Sequence, residues 1–274
     1  MTLGKEIHDP WVHVDGLPDP GRLMPLVEER GADSDQAEMR RRFRDWVGLA
    51  PGAAVLEVGC GTGVWTRELA ALAGPGGRVL GVDPSRFLVQ EARRLACERC
   101  APPHPSFEVA DGAALPFPDE SWDLVLAATV LGHTHDPAAV LREMVRVARR
   151  GGRVAIFDHD WESFLLNHSD KELTRCILNF TCDRREADGW IGRRILGMMR
   201  QAGLGGTRCL PLAWVDAEYG GYMRHALKSR AEFAAQHGAV TETKAKAWVG
   251  EFEARAREGT FFAAITYFGF AGTR

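Results

Sequence analysis

Three glycines at alternating positions form the part of this sequence with the clearest chemical meaning. Gly59, Gly61 and Gly63 follow the apolar run 53–58, and helical spacing resumes at residue 64. An apolar run with β-branched residues predicts a buried parallel strand. Glycines allow positive φ and a close approach of the backbone to a ligand, and a helix start offers free N–H groups. The stretch therefore predicts a ligand site at a strand–turn–helix junction.

The residues around these glycines indicate the charge of the ligand. A dinucleotide-binding turn has the pattern Gly-x-Gly-x-x-Gly, and Val64 stands where its third glycine would be. Glu57 precedes the first glycine by two residues and would repel a pyrophosphate. A carboxylate at this point suits a cationic ligand. A nicotinamide-dependent dehydrogenase is therefore the disfavoured alternative for this site.

The run of residues 57–63, Glu-Val-Gly-Cys-Gly-Thr-Gly, resembles motif I of the class I S-adenosylmethionine-dependent methyltransferases. The resemblance covers about residues 50–160, and the nearest pattern is that of ubiquinone-biosynthesis-type and natural-product small-molecule methyltransferases. It implies that the turn, including Cys60, wraps the methionine part of S-adenosylmethionine. It also implies that Glu57 faces the ammonium group of this cofactor.

An aspartate at the end of the second predicted strand matches an acidic position of the same family. Asp83 lies 20 residues beyond Gly63, and the resemblance implies that it binds both ribose hydroxyls. A carboxylate can accept two O–H bonds at once, as this contact requires. Alternatively, Asp83 and the following Pro84 only begin the next helix. We expect Asp83 and Pro84 to contact the cofactor.

The third and fourth predicted strands end in further positions of this site. Asp111 and Gly112 resemble the family's adenine-binding turn, where the aspartate accepts from the exocyclic amine. The alternative is that Asp111 only forms a turn. Ala128 and Thr129 end strand four at the carboxyl edge, where open α/β sheets bind ligands. We expect both residues to contact the cofactor.

Methyl transfer from a sulfonium requires alignment and exclusion of water more than a catalytic nucleophile or a metal. We accordingly expect no metal site. An acidic acceptor must still lose a proton, and histidine is the usual base. The candidates follow two strands: His133 and His135 after strand four, and Asp158, His159 and Asp160 after strand five. For each histidine, the alternative is that it only lines the pocket.

Aromatic residues outside residues 50–160 suggest a small, partly apolar or aromatic acceptor. Core packing would explain about half of these residues. The N-terminal segment, 161–190 and 214–250 should roof the acceptor pocket, and the N-terminal segment either covers the cofactor as a lid or docks on the sheet. The predicted pocket residues are Trp11, His133, Trp161, Trp190, Tyr219 and Tyr222.

The alternation of strands and helices predicts an α/β fold with a doubly wound sheet. The resemblance implies a Rossmann-like sheet of seven strands in the order 3-2-1-4-5-7-6, mostly parallel, with strand 7 antiparallel. We expect one domain over residues 1–274: an N-terminal helical or lid segment (1–48), a cofactor-binding core (50–160) and substrate-side helices and last strands (161–274).

Composition limits the partners of this chain. It has 274 residues and a formal net charge of −3, which gives no electrostatic footprint for nucleic acid. The six cysteines are scattered, and the pair at 97 and 100 lacks the partners of a zinc site. No signal peptide or membrane-spanning run is apparent, so we expect a cytoplasmic protein. A last strand left exposed could pair two copies into a homodimer.

These observations together predict an S-adenosylmethionine-dependent methyltransferase of a small molecule, in secondary metabolism or quinone-like biosynthesis. The methylated atom, O, N or C, stays open. One alternative is an S-adenosylmethionine-binding cyclase or decarboxylase on the same fold. A protein or RNA methyltransferase is disfavoured by the acidic charge, and because Thr-Val-Leu-Gly stands at 129–132 in place of an Asn/Asp-Pro-Pro-Tyr motif.

Overall fold

A sheet of eight strands forms the middle layer of the computed structural model, which describes residues 9–100 and 104–274. The helices are α1 (Met24–Ala32), α2 (Ser34–Val47), α3 (Val64–Ala73), α4 (Arg86–Arg99), α5 (Pro137–Val147), α6 (Lys171–Arg184), α7 (Ile191–Gln201), α8 (Gly221–Gln236) and α9 (Glu242–Arg257). The strands are β1 (Ala54–Val58), β2 (Arg78–Asp83), β3 (Ser106–Val109), β4 (Trp122–Ala128), β5 (Ala148–His159), β6 (Leu165–Leu166), β7 (Gly205–Asp216) and β8 (Ala263–Thr273).

The strand order confirms the predicted Rossmann-like fold class and adds one short strand to it. The sheet runs β3-β2-β1-β4-β5-β8, and β7 pairs with the other edge of β8. Strands β1 to β5 are parallel, and β8 is antiparallel to both β5 and β7. The added strand β6 pairs with Ala263 and Ala264 of β8, just beyond the stretch that β5 covers. Its two residues are too few to give an alternating pattern in the sequence.

Both faces of the sheet are covered, which explains the continuous apolar runs in its central strands. Along β1, Val55 packs into an apolar cluster with α2, α3, α8 and α9, whereas Leu56 and Val58 pack into a second cluster with α5 and α7. Successive strand residues point to opposite faces, so these two clusters lie on opposite sides of the sheet.

The parallel strands direct their carboxyl ends to one edge of the sheet, and the N-terminal segment crosses that edge. Asp15 of this segment accepts hydrogen bonds from the backbone N–H groups of Arg86 (2.8 Å) and Phe87 (3.3 Å) at the start of α4. The edge itself carries the glycine turn after β1, Asp83 after β2, Thr129 after β4 and the end of β5. Four potential contact points are thus brought beneath one covering segment. Within the described ranges, no helix is both long enough and apolar enough to cross a lipid bilayer.

Candidate active site

A cavity of about 510 Å³ lies at the carboxyl edge of the sheet, between the strand ends, the N-terminal segment and α8. This is large enough for a drug-sized ligand. Most of the predicted cofactor residues lie in its wall, although they come from four separate turns. The wall includes Glu57, Gly59, Cys60, Gly61, Asp83, Pro84, Asp111, Gly112, Ala128 and Thr129.

The glycine turn leaves open space for a ligand at one position. Gly59 and Gly61 have φ values of 71° and 53°, a region that side chains other than glycine rarely adopt. A Cβ at Gly59 would collide with Val130, so this glycine serves packing. A Cβ at Gly61 would meet no atom within 4 Å, and Gly61 lines the cavity. Any side chain at residue 61 would therefore occupy ligand space.

Gly63 has a different role from the one predicted for it. It lies outside the cavity wall, and a Cβ on it would lie 2.7 Å from the ring of Phe107 in β3. Its φ of 81° starts α3. The expectation that Gly63 contacts the cofactor is therefore corrected: the residue allows α3 to pack closely against β3 and α4.

Glu57 is a buried carboxylate that faces the cavity. It accepts a hydrogen bond from the hydroxyl of Thr66 in α3. Burial raises the pKa of Glu57 to about 8, because the charged form loses hydration, and the charge of Asp83 adds to this effect. A cationic ligand group beside it would offset the same cost. The chemistry of Glu57 therefore fits the ammonium contact that the resemblance implies.

Asp83 is held in position by two backbone N–H groups. Its Oδ2 accepts from Gly61 and its Oδ1 from Ser85, both at 2.9 Å. Burial raises the pKa of Asp83 to about 6, although these hydrogen bonds act in the opposite direction. The carboxylate therefore links the glycine turn to the start of the next helix, as in the alternative interpretation, and also reaches the cavity.

The other cofactor-side residues have simpler surroundings. Burial raises the pKa of the Cys60 thiol well above its ordinary value, so this thiol stays protonated and is no nucleophile. Asp111 is exposed and accepts from the backbone N–H of Ala113 at 2.9 Å. This bond forms the turn of the alternative interpretation, and it leaves the second carboxylate oxygen for an exocyclic amine. Asp111 can therefore form the turn and still accept a hydrogen bond from a ligand.

Thr129 adopts a strained backbone conformation where β4 ends. Its φ is 54°, unfavourable for a β-branched residue. Its backbone N–H donates to the carbonyl of Phe157 in β5 at 2.6 Å, and its hydroxyl accepts from Arg30 of α1 at 3.0 Å. These two hydrogen bonds hold Thr129 in its strained conformation at the cavity wall.

His133 is paired with acidic groups, which changes its expected role. Its Nδ1 lies 2.7 Å from Oδ2 of Asp9 and 3.7 Å from Oε2 of Glu186. Burial alone would lower the pKa of His133, but these carboxylates raise it to about 9. At neutral pH the imidazole is therefore protonated and cannot remove a proton from an acceptor. A role as general base is disfavoured, and His133 remains part of the cavity wall.

Asp9, His133 and Glu186 have the composition of a metal-binding set. Their atoms already form a charge-balanced network, however. Asp9 also accepts from the backbone N–H groups of Trp11 (2.9 Å) and Ala187 (3.0 Å), and Glu186 accepts from Arg230 at 3.2 Å. These partners favour an ion-paired imidazolium over a metal centre.

His159 is the remaining histidine candidate, and it faces the cavity at the end of β5. It is 2 % exposed, and neither ring nitrogen has a hydrogen-bond partner in the described part of the chain. Burial lowers its pKa well below the ordinary value, and the charges of Arg30, His133 and Arg230 add to this. The imidazole is therefore neutral and has a free lone pair, but the same effects make it a weaker base than an ordinary histidine.

Asp158 lies behind His159 and outside the cavity wall. It accepts from the backbone N–H of His159 at 2.9 Å, and its Oδ1 lies 3.4 Å from Nδ1 of the same residue. Burial raises the pKa of Asp158 to about 6. Because its carboxylate does not reach the cavity, Asp158 is at most a positioning residue and not the catalytic group that was expected.

Two of the predicted pocket aromatics lie elsewhere, whereas Trp11, Trp161 and Tyr222 line the cavity. Trp190 is 47 % exposed and stacks under Arg193, because it precedes α7 at the surface. Tyr219 is 1 % exposed and packs against Phe261 at a ring distance of 5.0 Å. It occupies the turn between β7 and α8, which directs it into the core. Trp190 and Tyr219 are therefore removed from the predicted pocket.

Several cavity residues were missed from the sequence. Gln36 and Tyr267 are joined by a hydrogen bond of 3.3 Å, and two arginines, Arg30 and Arg230, reach the same cavity from α1 and α8. None of them belongs to a recognisable motif. Arg30 follows two glutamates and Arg230 follows a lysine and a serine, and such polar neighbours are typical of a solvent-exposed position.

Comparisons with known proteins agree with this geometry. The family described as "Methyltransferase domain" matches residues 56–156. The chain is 37 % identical to the ubiquinone/menaquinone biosynthesis C-methyltransferase UbiE of Hahella chejuensis over 119 residues, covering 43 % of this chain and 48 % of that protein. It is 35 % identical to methyltransferase GfsG of Streptomyces halstedii over 147 residues, 54 % of this chain and 50 % of that protein.

A third relative matches a longer part of this chain, and its name states no activity. The chain is 32 % identical over 226 residues to an uncharacterized 37.1 kDa protein in transposon TN4556 of Streptomyces fradiae, covering 82 % of this chain and 63 % of that protein. The chain thus spans between about half and two thirds of the length of these three curated relatives.

Solved structures share the fold. The [4+2]-cyclase SpnF superposes with a TM-score of 0.58 at 19 % identity, covering 98 % of both chains. The phosphoethanolamine N-methyltransferase 2 of Haemonchus contortus, in complex with S-adenosyl-L-methionine, gives a TM-score of 0.54 at 17 % identity, covering 86 % of this chain and 52 % of that one. Residues 56–156 thus match the methyltransferase domain that the resemblance implies, and the chain shares the fold of these solved structures.

Proposed function

We propose that this protein transfers the methyl group of S-adenosylmethionine to a small organic acceptor by direct in-line displacement. The observation that carries the proposal is the convergence of Glu57, Gly61, Asp83 and Asp111 on one cavity with the chemistry each contact needs. Glu57 suits an ammonium group, Asp83 a pair of hydroxyls and Asp111 an exocyclic amine. A dinucleotide would place a pyrophosphate beside Glu57, at an electrostatic cost.

The residues of this chain would act mainly by positioning. S-adenosylmethionine supplies an electrophilic methyl group on a positively charged sulfur. Gly61 leaves the space for its backbone, and Thr129 fixes the end of β4 beside it. The N-terminal segment and Trp161 limit access of water to the cavity, which favours displacement of the sulfonium by the acceptor. His159 would take the proton of an acidic acceptor.

The acceptor class follows from the cavity and from the relatives. Trp11, Trp161 and Tyr222 offer aromatic surface to a small, partly apolar or aromatic molecule. The names of UbiE and GfsG place those relatives in quinone biosynthesis and among methyltransferases of Streptomyces. They support a role in secondary metabolism or quinone-like biosynthesis, with the methylated atom, O, N or C, left open. A cytoplasmic location and a homodimer stay predictions.

Cofactor binding provides the direct test. Calorimetry should show binding of S-adenosylmethionine and none of NAD. Asp83→Ala removes the ribose acceptor and should weaken binding at least a hundredfold, since charged hydrogen bonds contribute about 1.5–3 kcal/mol each. Asp119→Ala is the matched control, because Asp119 pairs with Arg146 outside the cavity. Undiminished binding by Asp83→Ala would refute the ribose contact.

Product analysis separates the main proposal from its alternative. A cyclase or decarboxylase on this fold would use the bound sulfonium without consuming it. Methyl transfer instead converts S-adenosylmethionine to S-adenosylhomocysteine in proportion to product. Turnover of candidate acceptors without S-adenosylhomocysteine would favour the alternative.

A further inference from the structure

One part of the cavity wall holds two arginines whose hydrogen-bonding capacity the described residues leave partly unused. We call it the acceptor chamber and define it by Arg30, His159, Trp161, Tyr222 and Arg230, all of which line the cavity. These residues form two groups of neighbours. The guanidinium of Arg230 lies 3.8 Å from the Trp161 ring centroid, the His159 ring 4.1 Å from that of Trp161, and the guanidinium of Arg30 5.9 Å from that of Tyr222.

Arg230 is incompletely paired although it is 2 % exposed. One of its nitrogens donates to Glu186 at 3.2 Å, whereas its Nε has no hydrogen-bond partner among the described residues. Glu186 also lies 3.7 Å from His133 and 3.9 Å from Arg185. Glu186 therefore pairs with one nitrogen of Arg230 and leaves its buried Nε available to a ligand.

Arg30 has no carboxylate within 4.0 Å in residues 9–100 and 104–274. Its guanidinium donates to the neutral hydroxyl of Thr129 at 3.0 Å and also bonds with the hydroxyl of Tyr222. Burial acts to lower the pKa of Arg30, whereas Tyr222, Tyr267 and the buried Asp158 raise it. Arg30 is half-buried in the cavity wall, and a partly desolvated guanidinium without an ion pair suits an anionic ligand.

The charges of both arginines reach His159. Together with burial, which is the larger cause, and with His133, they lower the pKa of its imidazole. Asp9 pairs with His133 and Glu186 pairs with Arg230. Arg30 has no such partner among the described residues, and both ring nitrogens of His159 are unpaired there as well.

We propose that the acceptor binds in this chamber as a planar oxyanion, a carboxylate or an ionised phenol or enol, held between Arg30 and Arg230. The proposal rests on the proposed function and names the substrate class of the same site. Guanidinium groups match planar, delocalised oxyanions, and aromatic walls suit a flat body attached to them. His159 accepts the proton of an acceptor that arrives neutral.

The methionine carboxylate of the cofactor is the other anion that could reach Arg30, since Arg30 contacts Thr129. The test therefore measures cofactor and acceptor separately. S-adenosylhomocysteine is first titrated into the full-length protein by calorimetry at neutral pH. No binding at this step overturns the proposed function itself, independently of the acceptor chamber.

The protein saturated with S-adenosylhomocysteine is then titrated with three flat probes: benzoate, 4-nitrophenol and neutral nitrobenzene. We expect at least one acidic probe to bind ten times more tightly than nitrobenzene. Benzoate identifies a carboxylate acceptor. Preference for 4-nitrophenol, with the colour of its phenolate in the bound state, identifies an ionised hydroxyl. Failure of both acids, or equal binding of nitrobenzene, overturns the proposal.

Two substitutions locate the anion. Arg30→Gln and Arg230→Gln should each weaken the preferred acidic probe about ten- to a hundredfold and leave S-adenosylhomocysteine affinity unchanged. Arg208→Gln is the matched control, because its guanidinium stacks on Trp46 at 4.0 Å outside the cavity. If Arg30→Gln weakens the binding of S-adenosylhomocysteine as much as that of the acidic probe, Arg30 binds the cofactor and the proposal is overturned.

Arg230→Gln alone leaves Glu186 without its partner and could unfold the protein. The double substitution Glu186→Gln with Arg230→Gln removes both charges and avoids this defect. It should keep the wild-type thermal transition within a few degrees and still lose the acidic probe. Retention of the probe at wild-type affinity by this double variant overturns the role of Arg230.

Discussion

Gly61 shows how one absent side chain shapes the candidate site. Its φ of 53° belongs to the left-handed region, and a Cβ there would meet nothing within 4 Å. A substitution at residue 61 would therefore have two separate effects: backbone strain, which lowers stability, and loss of space for a ligand. Glycine is needed here less for packing than for the space in front of it, unlike Gly59 and Gly63, where added atoms would collide with Val130 and Phe107.

Gly61→Ala should abolish cofactor binding with little effect on the fold. Alanine at positive φ costs about 1 kcal/mol, whereas its methyl group would occupy the space required by the ligand. The free energy of unfolding and the affinity for S-adenosylhomocysteine report the two effects. Gly151→Ala is the control, since Gly151 has a φ of 72° and equally open surroundings away from the cavity. It should lose the same stability and bind normally.

At the scale of elements, the N-terminal segment is attached over the cavity by a buried ion pair. We define the lid segment as residues 9–23. Burial opposes ionisation of Asp9, but the charge and hydrogen bond of His133 and two backbone N–H groups lower its pKa overall. The pKa of His133 is raised to about 9. The lid segment is thus most firmly docked when both groups are charged.

This ion pair should hold the lid segment in place only over a defined range of pH. A histidine with a raised pKa contributes fully below its ordinary value near 6.5, and this contribution is lost as pH rises through about 9. Asp9, with a lowered pKa, contributes above its ordinary value and loses its contribution as pH falls. The carboxylates of Glu186 and Asp158 also face His133, and they raise its pKa as Asp9 does.

Asp9→Asn should therefore destabilise the protein by about 2 kcal/mol at pH 7 and speed amide exchange in residues 9–23. The difference from wild type should shrink as pH rises through about 9. Denaturant unfolding and hydrogen exchange by mass spectrometry measure both quantities. Asp19→Asn serves as control, because Asp19 only accepts from Gly21 at the surface. A difference independent of pH would show that the Asp9–His133 pair does not hold the lid segment.

At the scale of the molecule, the cavity joins three regions that are distant in the chain: the lid segment with α1, the strand ends of the sheet, and α8. A ligand held by all three should stabilise the whole fold through mass action. S-adenosylhomocysteine at a hundred times its dissociation constant adds about 2.7 kcal/mol. For a protein of this size, this should raise Tm by about 5–10 °C.

Differential scanning calorimetry checks this expectation. NAD at the same concentration should produce no shift, and Asp83→Ala should lose the shift that Asp119→Ala retains. A shift produced equally by NAD would point to a phosphate-binding turn and contradict the assignment of the ligand.

The residues predicted for the cofactor could be placed at one edge of the sheet because each belongs to a strand end and its following turn. Gly59, Asp83, Asp111 and Thr129 lie at the ends of β1, β2, β3 and β4, and the end of a strand is a local property of the chain. Gly63 was misjudged because its neighbour Phe107 lies on another strand. The two-residue strand β6 was missed because it forms only where β8 extends beyond β5.

The sequence by itself determined the fold class, the parallel core and the position of the glycine turn, since these depend on periodicity, glycine conformation and the order of strand ends. The tertiary structure alone decided that His133 is an ion-paired cation, that His159 is neutral and unpaired, and that Trp190 and Tyr219 face away from the cavity. It also brought Arg30 and Arg230 together from helices 200 residues apart. Burial and the proximity of charges govern these properties, and neither is encoded in local spacing.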